Sequence, residues 1–265
     1  MRLPLAERMH GLQSAGAKAF VPFLTAGYPD AETFRGLLGR TACADLVEVG
    51  LPFSDPVADG PTICHTSEVA LAQGMHAELM FDLLGRERQR PPAIVMTYLN
   101  PVLAYGPDAF MRRAAAAGVL GLILTDVPPE DAGPLFESAA RQGIASVQLV
   151  APTTSSERLA AIAGATTGFL YCVSVTGTTG ARGQLDPRAR DTVARLRALT
   201  SLPVVVGFGI STPEHVRDTC AYADGVVVGS ALLDLVRAHR QDPDLLRKFE
   251  RRLSQLADAA HAARP

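Results

Sequence analysis

The sequence has few cysteines, no long apolar run and almost no net charge, and each scarcity argues against a class of protein. The four cysteines, Cys43, Cys64, Cys172 and Cys220, are scattered without a CxxC pair or a disulfide-framework spacing, which predicts reduced thiols. No apolar run approaches the roughly 18 residues that a membrane-spanning helix needs. The net charge of −2 gives no electrostatic reason to expect binding to nucleic acid or to an acidic membrane surface.

The first ten residues carry charges where a secretory signal peptide needs its apolar region. We therefore expect a cytoplasmic protein with no membrane partner. Of the 265 residues, 48% are hydrophobic and 20% are charged, a composition that suits a globular fold with a substantial core.

Eight apolar runs rich in β-branched residues recur along the chain, and they are nearly continuous rather than alternating. Such runs are expected of parallel strands covered on both faces. The runs cover residues 19–25, 44–50, 93–99, 118–125, 145–151, 168–174, 203–207 and 224–228. Segments with helical periodicity separate them, and a short helix is expected around residues 5–12. Eight strands alternating with helices predict an α/β fold, a single (β/α)8 TIM barrel over residues 1–265 with an extra N-terminal helix.

A doubly wound open sheet is the alternative fold, but the first strand–helix junction lacks a glycine-rich dinucleotide fingerprint. Several helix starts can be placed from capping signals. Asp30 is a candidate N-cap, and residues 154–157 and 211–214 read as capping boxes. A final helix is expected to open at Asp242 and to run to about Ala257.

Two carboxylates stand at the second predicted strand and just after it, on the face where barrels place active sites. Glu48 lies within the apolar run Val47-Glu-Val-Gly-Leu51, and Asp59 follows in a loop rich in proline and glycine. Desolvation should raise the pKa of Glu48 toward neutrality. Two carboxylates in different environments can serve as acid–base groups with different roles.

Other catalytic routes are disfavoured by what the strand ends lack. The only lysines are Lys18, before the first strand, and Lys248, in the last helix, which argues against Schiff-base catalysis. The six histidines form no ligand pair at strand ends, so no metal site is expected. No serine nucleophile elbow is present. What remains is acid–base chemistry by carboxylates, with or without a tyrosine.

Several further residues near the strand ends have two interpretations that the sequence leaves open. Tyr98 and Tyr171 either line a pocket or pack in the core. Asp126 is either functional or a structural carboxylate that fixes its loop. The apolar residues at strand ends either surround a flat aromatic ligand or belong to the core: Phe23, Met96, Ile123 and Phe208.

Glycine-rich segments follow the last three predicted strands. Gly207-Phe-Gly-Ile-Ser211 follows the seventh and Val228-Gly-Ser-Ala-Leu232 follows the eighth, where barrels commonly bind phosphate with backbone N–H groups and a helix N-terminus. We therefore predict phosphate binding there, the alternative being plain turn geometry. The loop at 175–183, after the sixth strand, is either a lid over a phosphorylated ligand or an ordinary surface loop.

Five segments resemble signatures of the tryptophan synthase α chain family, and the resemblance covers essentially the whole chain. The segments are Val47-Glu-Val-Gly-Leu-Pro-Phe-Ser-Asp-Pro-Val-Ala-Asp-Gly-Pro-Thr-Ile63, Phe20-Val-Pro-Phe-Leu-Thr-Ala-Gly-Tyr-Pro-Asp30, Leu124-Thr-Asp-Val-Pro128, Tyr171-Cys-Val-Ser-Val-Thr-Gly-Thr-Thr-Gly180 and Gly207-Phe-Gly-Ile-Ser211. The resemblance implies reversible retro-aldol cleavage of indole-3-glycerol phosphate to indole and glyceraldehyde 3-phosphate, with no cofactor.

The resemblance also implies roles for individual residues. Glu48 would transfer protons, Asp59 would contact the indole N–H and stabilise the cationic intermediate, and Tyr171 would pack near the reacting carbons. Thr179 would help to order the closed site around Asp59. The remaining substrate- and phosphate-binding positions implied are Phe23, Tyr98, Gly180, Phe208, Gly209, Gly229 and Ser230.

The family's partner is a β subunit that uses pyridoxal phosphate to condense indole with serine. The chain departs from the family pattern at Cys64-His65, where a glutamine and a small residue are expected, and in the segments 30–45 and 74–92, which look shorter. These departures weaken the partner inference more than the catalytic one. Two alternatives therefore stand beside an α subunit: a stand-alone lyase that releases free indole, and a non-catalytic activator of a β subunit.

Overall fold

The computed structural model describes residues 3–173, 188–207 and 209–263. These ranges contain nine strands and twelve helices. The strands are β1 (Ala19–Thr25), β2 (Val47–Gly50), β3 (Ala93–Thr97), β4 (Val119–Leu124), β5 (Ala145–Ser146), β6 (Gln148–Val150), β7 (Leu170–Val173), β8 (Val204–Gly207) and β9 (Gly225–Val228). The helices are α1 (Pro4–Ser14), α2 (Ala31–Leu38), α3 (Pro61–Ala72), α4 (Ala77–Arg86), α5 (Leu99–Tyr105), α6 (Pro107–Ala116), α7 (Gly133–Arg141), α8 (Ser156–Ala165), α9 (Arg188–Leu199), α10 (Pro213–Cys220), α11 (Ser230–His239) and α12 (Leu245–His261).

The strand pairings are parallel and follow the order of the sequence, and β9 returns to pair with β1. The result is a nearly closed barrel accompanied by helices, which confirms the predicted TIM barrel. Helix α1 precedes β1 as the expected extra helix.

The described residues form nine strands instead of the eight predicted, because residues 145–151 form two strands instead of one. β5 pairs with β4, and β6 pairs with β7. Between them, the N–H of Val147 still donates to the carbonyl oxygen of Leu122 at 3.0 Å. The fifth barrel strand therefore changes its pairing partner near Val147, and a continuous apolar run gives no sign of such a change.

The starts of α2, α8 and α10 agree with the capping signals to within one residue. Asp30 caps α2, with Oδ1 accepting the N–H of Thr33 at 2.8 Å, as predicted. The two capping boxes are predicted one residue too early, since the N-caps are Ser155 for α8 and Thr212 for α10. In both, the side-chain oxygen accepts the N–H three residues ahead, which is the geometry that defines the cap.

The last helix begins later and extends further than the sequence predicts. Asp242 belongs to the turn before α12, where its carbonyl oxygen accepts the N–H of Leu245 at 3.0 Å. The helix then continues to His261 rather than to about Ala257. The buried face of α12 contains Leu245, Phe249, Leu253 and Leu256.

The strands place Glu48 inside the barrel. All four residues of β2 are buried, and successive side chains of a strand point to opposite faces. Glu48 lines a cavity within the barrel mouth, so Val47 and Val49 face the other side. In residues 3–173, 188–207 and 209–263, no helix is both long enough and apolar enough to cross a bilayer. The four cysteines are free, as predicted.

Candidate active site

A cavity, which we call the central cavity, opens at the carboxyl ends of the strands. It brings together six of the predicted site residues: Phe23, Glu48, Tyr171, Gly209, Gly229 and Ser230. Its other described lining residues are Ile63, Met96, Ile210, Ser211, Val227, Ala231 and Asp234. One wall therefore carries a carboxyl and a phenol, while another is formed by glycines and a helix start.

Glu48 is the most buried acid of the central cavity, with 1% of its surface exposed. Its Oε2 atom has no hydrogen-bond partner among the described residues. Burial and, to a lesser extent, the charge of Asp59 raise the pKa of Glu48 to about 8. The carboxyl group is therefore mostly protonated at neutral pH, and it can act first as an acid and then as a base.

Asp59 lies in the loop between β2 and α3, close enough to Glu48 for its charge to affect that group's pKa. Burial raises the pKa of Asp59 to about 6, and a hydrogen bond with the hydroxyl of Tyr98 opposes this rise. The two carboxyl groups therefore lose their protons at different pH values. Near pH 7, Asp59 is mostly ionised while Glu48 is mostly neutral.

Tyr98 holds the loop that carries Asp59. It follows β3 directly and is the N-cap of α5. Its hydroxyl oxygen accepts the N–H of Ala58 at 3.1 Å. Its ring packs against Phe53 with 5.2 Å between the centroids. Tyr98 therefore contacts both ends of the loop. It is not one of the described residues that line the central cavity.

Tyr171 is buried in β7 with 4% of its surface exposed, and it shares the central cavity with Glu48. Burial, followed by the charge of Glu48, raises the pKa of the phenol well above its ordinary value. The neighbouring strand makes room for the ring at Gly207. A Cβ atom added there would lie 2.2 Å from the Tyr171 hydroxyl oxygen. Only glycine permits this placement of the phenol.

We expect Gly207→Ala to displace Tyr171 and to lower kcat for the reaction of this site. Because the clash is within a packed barrel, the free energy of unfolding should also fall, by about 1–3 kcal/mol. Steady-state kinetics and thermal unfolding measure the two effects. Gly85→Ala in α4 is the matched control, since nothing lies within 4 Å of its added Cβ. Equal behaviour of the two variants would contradict the role given to Gly207.

The apolar wall of the central cavity centres on Phe23, which is 2% exposed. Gly50 leaves space for this ring, since a Cβ there would lie 2.6 Å from Cζ of Phe23. Ile63, Met96 and Val227 also line the cavity. This arrangement favours the interpretation of Phe23 and Met96 as the surroundings of a flat apolar ligand.

The glycine-rich wall has the features of an anion site. Gly209 has a φ of +77°, a conformation that favours glycine. Gly229 precedes α11 and Ser230 begins it, so the first N–H groups of this helix have no acceptor within the helix. A helix N-terminus with its free N–H groups and positive dipole end attracts phosphate.

Apart from Met96, which the sequence analysis named as a candidate, six lining residues were not among the predicted site residues: Ile63, Ile210, Ser211, Val227, Ala231 and Asp234. Asp234 follows Ser230 by four positions on α11, so helical spacing could have placed it on the same face. Its Oδ1 atom pairs with Arg237 at 2.9 Å. It also accepts a bond of 3.4 Å from the hydroxyl of Thr62.

The remaining predicted residues divide into two groups. Asp126 accepts the N–H of Leu99 at 2.9 Å, which supports its structural interpretation, because the bond fixes the first turn of α5. Thr179, Gly180 and Phe208 lie outside the described residues, as does the glycine-rich loop at 175–183.

Comparison with known proteins identifies the family. The family model of the tryptophan synthase alpha chain matches residues 9–261. The chain belongs to the tryptophan synthase alpha chain family. The alpha chain of Gloeobacter violaceus is 48% identical over 246 residues, covering 91% of this chain and 86% of that protein. The alpha chain of a Caulobacter species is 43% identical, covering 97% and 96%.

Solved structures of the family agree with the fold. A chain of tryptophan synthase from Mycobacterium tuberculosis matches with a TM-score of 0.88 and 35% identity, covering 98% of this chain and 99% of that one. The alpha subunit from Legionella pneumophila matches with a TM-score of 0.88 and 34% identity over the same shares. The tryptophan synthase alpha family is a family of enzyme subunits, so an enzymatic role for this chain follows.

Proposed function

We propose that this chain catalyses the reversible retro-aldol cleavage of indole-3-glycerol phosphate to indole and glyceraldehyde 3-phosphate. One observation carries the proposal: a buried carboxyl group with a pKa of about 8, Glu48, shares a cavity with an apolar wall and a glycine-rich helix start. The apolar wall suits an indole ring, and the helix start suits a phosphate. The carboxyl group of Glu48 lines the same cavity as the apolar wall and the helix start.

In the first step, protonated Glu48 donates its proton to C3 of the indole ring. The ring becomes a cation with the positive charge delocalised onto the nitrogen, and Glu48 becomes a carboxylate. Asp59, with a pKa of about 6, is mostly ionised and accepts a hydrogen bond from the ring N–H. A fixed negative charge at this position stabilises the charge that develops in the transition state.

In the second step, the Glu48 carboxylate takes the proton of the glycerol hydroxyl next to the bond that breaks. The oxygen forms a carbonyl, and the electron pair of the carbon–carbon bond returns to the ring and neutralises it. Indole and glyceraldehyde 3-phosphate leave, and Glu48 is again protonated. One group therefore acts as acid and then as base, which requires a pKa near the working pH.

The other site residues hold the substrate in this proposal. Tyr171 packs beside the reacting carbons, and Phe23 packs against the indole ring. Gly209, Gly229 and Ser230 bind the phosphate through backbone groups. Tyr98 keeps Asp59 in place through the loop, while Thr179, Gly180 and Phe208 keep the substrate-binding roles that the family resemblance implies. We further propose that residues 1–265 form one domain.

We also propose that the chain works as the α subunit of a tryptophan synthase, with a β subunit that uses pyridoxal phosphate and receives indole. Membership of the tryptophan synthase alpha chain family supports such a partner, and exposed apolar side chains offer contact surface for it. Val57, in the loop with Asp59, is 85% exposed, and Leu103 on α5 is 51% exposed.

Steady-state cleavage of indole-3-glycerol phosphate, measured with and without a tryptophan synthase β subunit, tests the proposal. Cleavage that the β subunit strongly stimulates would support an α subunit. Fast cleavage by the chain alone, unchanged by the β subunit, would instead identify a stand-alone lyase. No cleavage under either condition would overturn the proposed reaction and leave only the activator alternative.

A further inference from the structure

A second cleft lies at the amino ends of β1 and β9. Lys18 precedes β1 and Asp224 precedes β9, and both line this cleft together with Arg190 and Arg197 of α9 and with Tyr222. We call it the basal cleft. The central cavity lies at the carboxyl ends of the same parallel strands, so the basal cleft is separate from it.

Lys18 brings a positive charge to the basal cleft, and it forms no ion pair with a carboxylate of the described residues. Only 8% of its surface is exposed, and its Nζ atom donates to the carbonyl oxygen of Ala223 at 2.9 Å. An ammonium group has three donors, so two are left without a protein acceptor in the described part of the chain. Burying a charge without a counter-charge is costly, and a bound anion would offset that cost.

Arg190 adds a second positive charge that has no carboxylate partner among the described residues. Its guanidinium carbon lies 5.2 Å from the centroid of the Tyr222 ring, and it forms no ion pair within residues 3–173, 188–207 and 209–263. A guanidinium stacked on an aromatic ring is held in one orientation while its in-plane N–H groups stay available. Those groups match two oxygens of a phosphate.

Asp224 does not neutralise these two cations. Its Oδ1 atom pairs with Nη2 of Arg197 at 3.0 Å. Its Oδ2 atom accepts the N–H of Val204 at 2.8 Å. Arg197 and Asp224 therefore balance each other, and the basal cleft keeps two positive charges from Lys18 and Arg190.

We propose that the basal cleft binds an oxyanion of the phosphate class, either free phosphate or the phosphate group of a small monoester. Arg190 supplies a planar fork on one side and Lys18 a compact charge on the other. The whole chain has a net charge of −2, so the attraction is local and suits a small anion rather than a nucleic acid. The site is independent of the reaction proposed for the central cavity.

Calorimetric titration with inorganic phosphate tests this site in the full chain. We expect two phosphate sites, one in the central cavity and one in the basal cleft. Arg190→Gln should weaken one of them about tenfold and leave the other unchanged, because one charge-assisted contact is lost. Arg190 is exposed, so the variant should fold normally. Arg112→Gln, which removes an exposed arginine of α6, is the control and should bind as the unmodified chain does.

Crystals soaked in selenate locate the anion directly. Anomalous density between Lys18 and Arg190 would support the proposal. A parallel titration with glycerol 3-phosphate distinguishes the two possible ligands. If glycerol 3-phosphate binds the Arg190-dependent site more tightly than inorganic phosphate does, the ligand is a monoester. If it binds equally or more weakly, the ligand is free phosphate. Phosphate binding that Arg190→Gln leaves unchanged, or selenate density confined to the central cavity, would overturn the proposal.

Discussion

Glu48→Gln is expected to lower kcat for cleavage of indole-3-glycerol phosphate by at least about 10³-fold. The amide has nearly the same shape as the carboxyl group but can neither give its proton to indole C3 nor take one from the glycerol hydroxyl. Since Glu48 is mostly neutral at pH 7, with a pKa of about 8, the substitution changes little of the charge in the cavity. Affinity for a substrate analogue that lacks the cleavable hydroxyl should therefore be retained.

Glu48→Gln should have little effect on stability. A neutral amide replaces a mostly neutral acid, so the free energy of unfolding should change by no more than about 1 kcal/mol. Glu68→Gln, on the exposed side of α3, is the matched control and should leave kcat unchanged. Turnover by Glu48→Gln within a few-fold of the unmodified chain would refute the two-step proton transfer.

Asp59→Asn should lower kcat by roughly 10²- to 10³-fold, with a much smaller change in KM. Asparagine can still contact Tyr98 and the ring N–H, but it has no negative charge to stabilise the cationic ring. The loss should therefore appear in the chemical step rather than in binding. Single-turnover and steady-state kinetics of the chain alone separate these two effects.

Asp55→Asn provides the control for Asp59, because both residues lie in the same loop. Asp55 is exposed and accepts a bond from the hydroxyl of Ser54 at 2.6 Å. Its variant should cleave the substrate at the normal rate. A loss of kcat of the same size in both variants would show that loop structure, and not the charge at Asp59, determines the rate.

The barrel and the catalytic face follow from the sequence, because continuous apolar runs separated by amphipathic helices have few other solutions. The raised pKa of Glu48 follows too, since a carboxyl group within an apolar strand must lose its hydration. The fifth barrel strand changes its pairing partner near Val147, and this could not be predicted from the sequence. The change depends on how the strands pair to close the barrel. The run from 145 to 151 has the same apolar character throughout.

Contacts between distant segments are the part of the site that the sequence does not give. The contribution of Asp59 to the pKa of Glu48 depends on the path of the intervening loop, which Tyr98 fixes from another strand end. The space that Gly207 leaves for Tyr171 depends on the register between β7 and β8. Glycine-rich patterns predict an anion site after the last strands, but they do not reveal Asp234 beside it.

We expect the buried carboxyl group of Glu48 to be protonated at neutral pH, and infrared difference spectroscopy measures this directly. The carbonyl stretch of a protonated carboxylic acid should be present at pH 7, absent from Glu48→Gln, and lost with a midpoint near pH 8. At pH 7, most of the molecules should carry this proton. A Glu48 carboxyl group that is already ionised at pH 7, with a midpoint near the ordinary value for glutamate, would rule out the proposed proton transfer to indole.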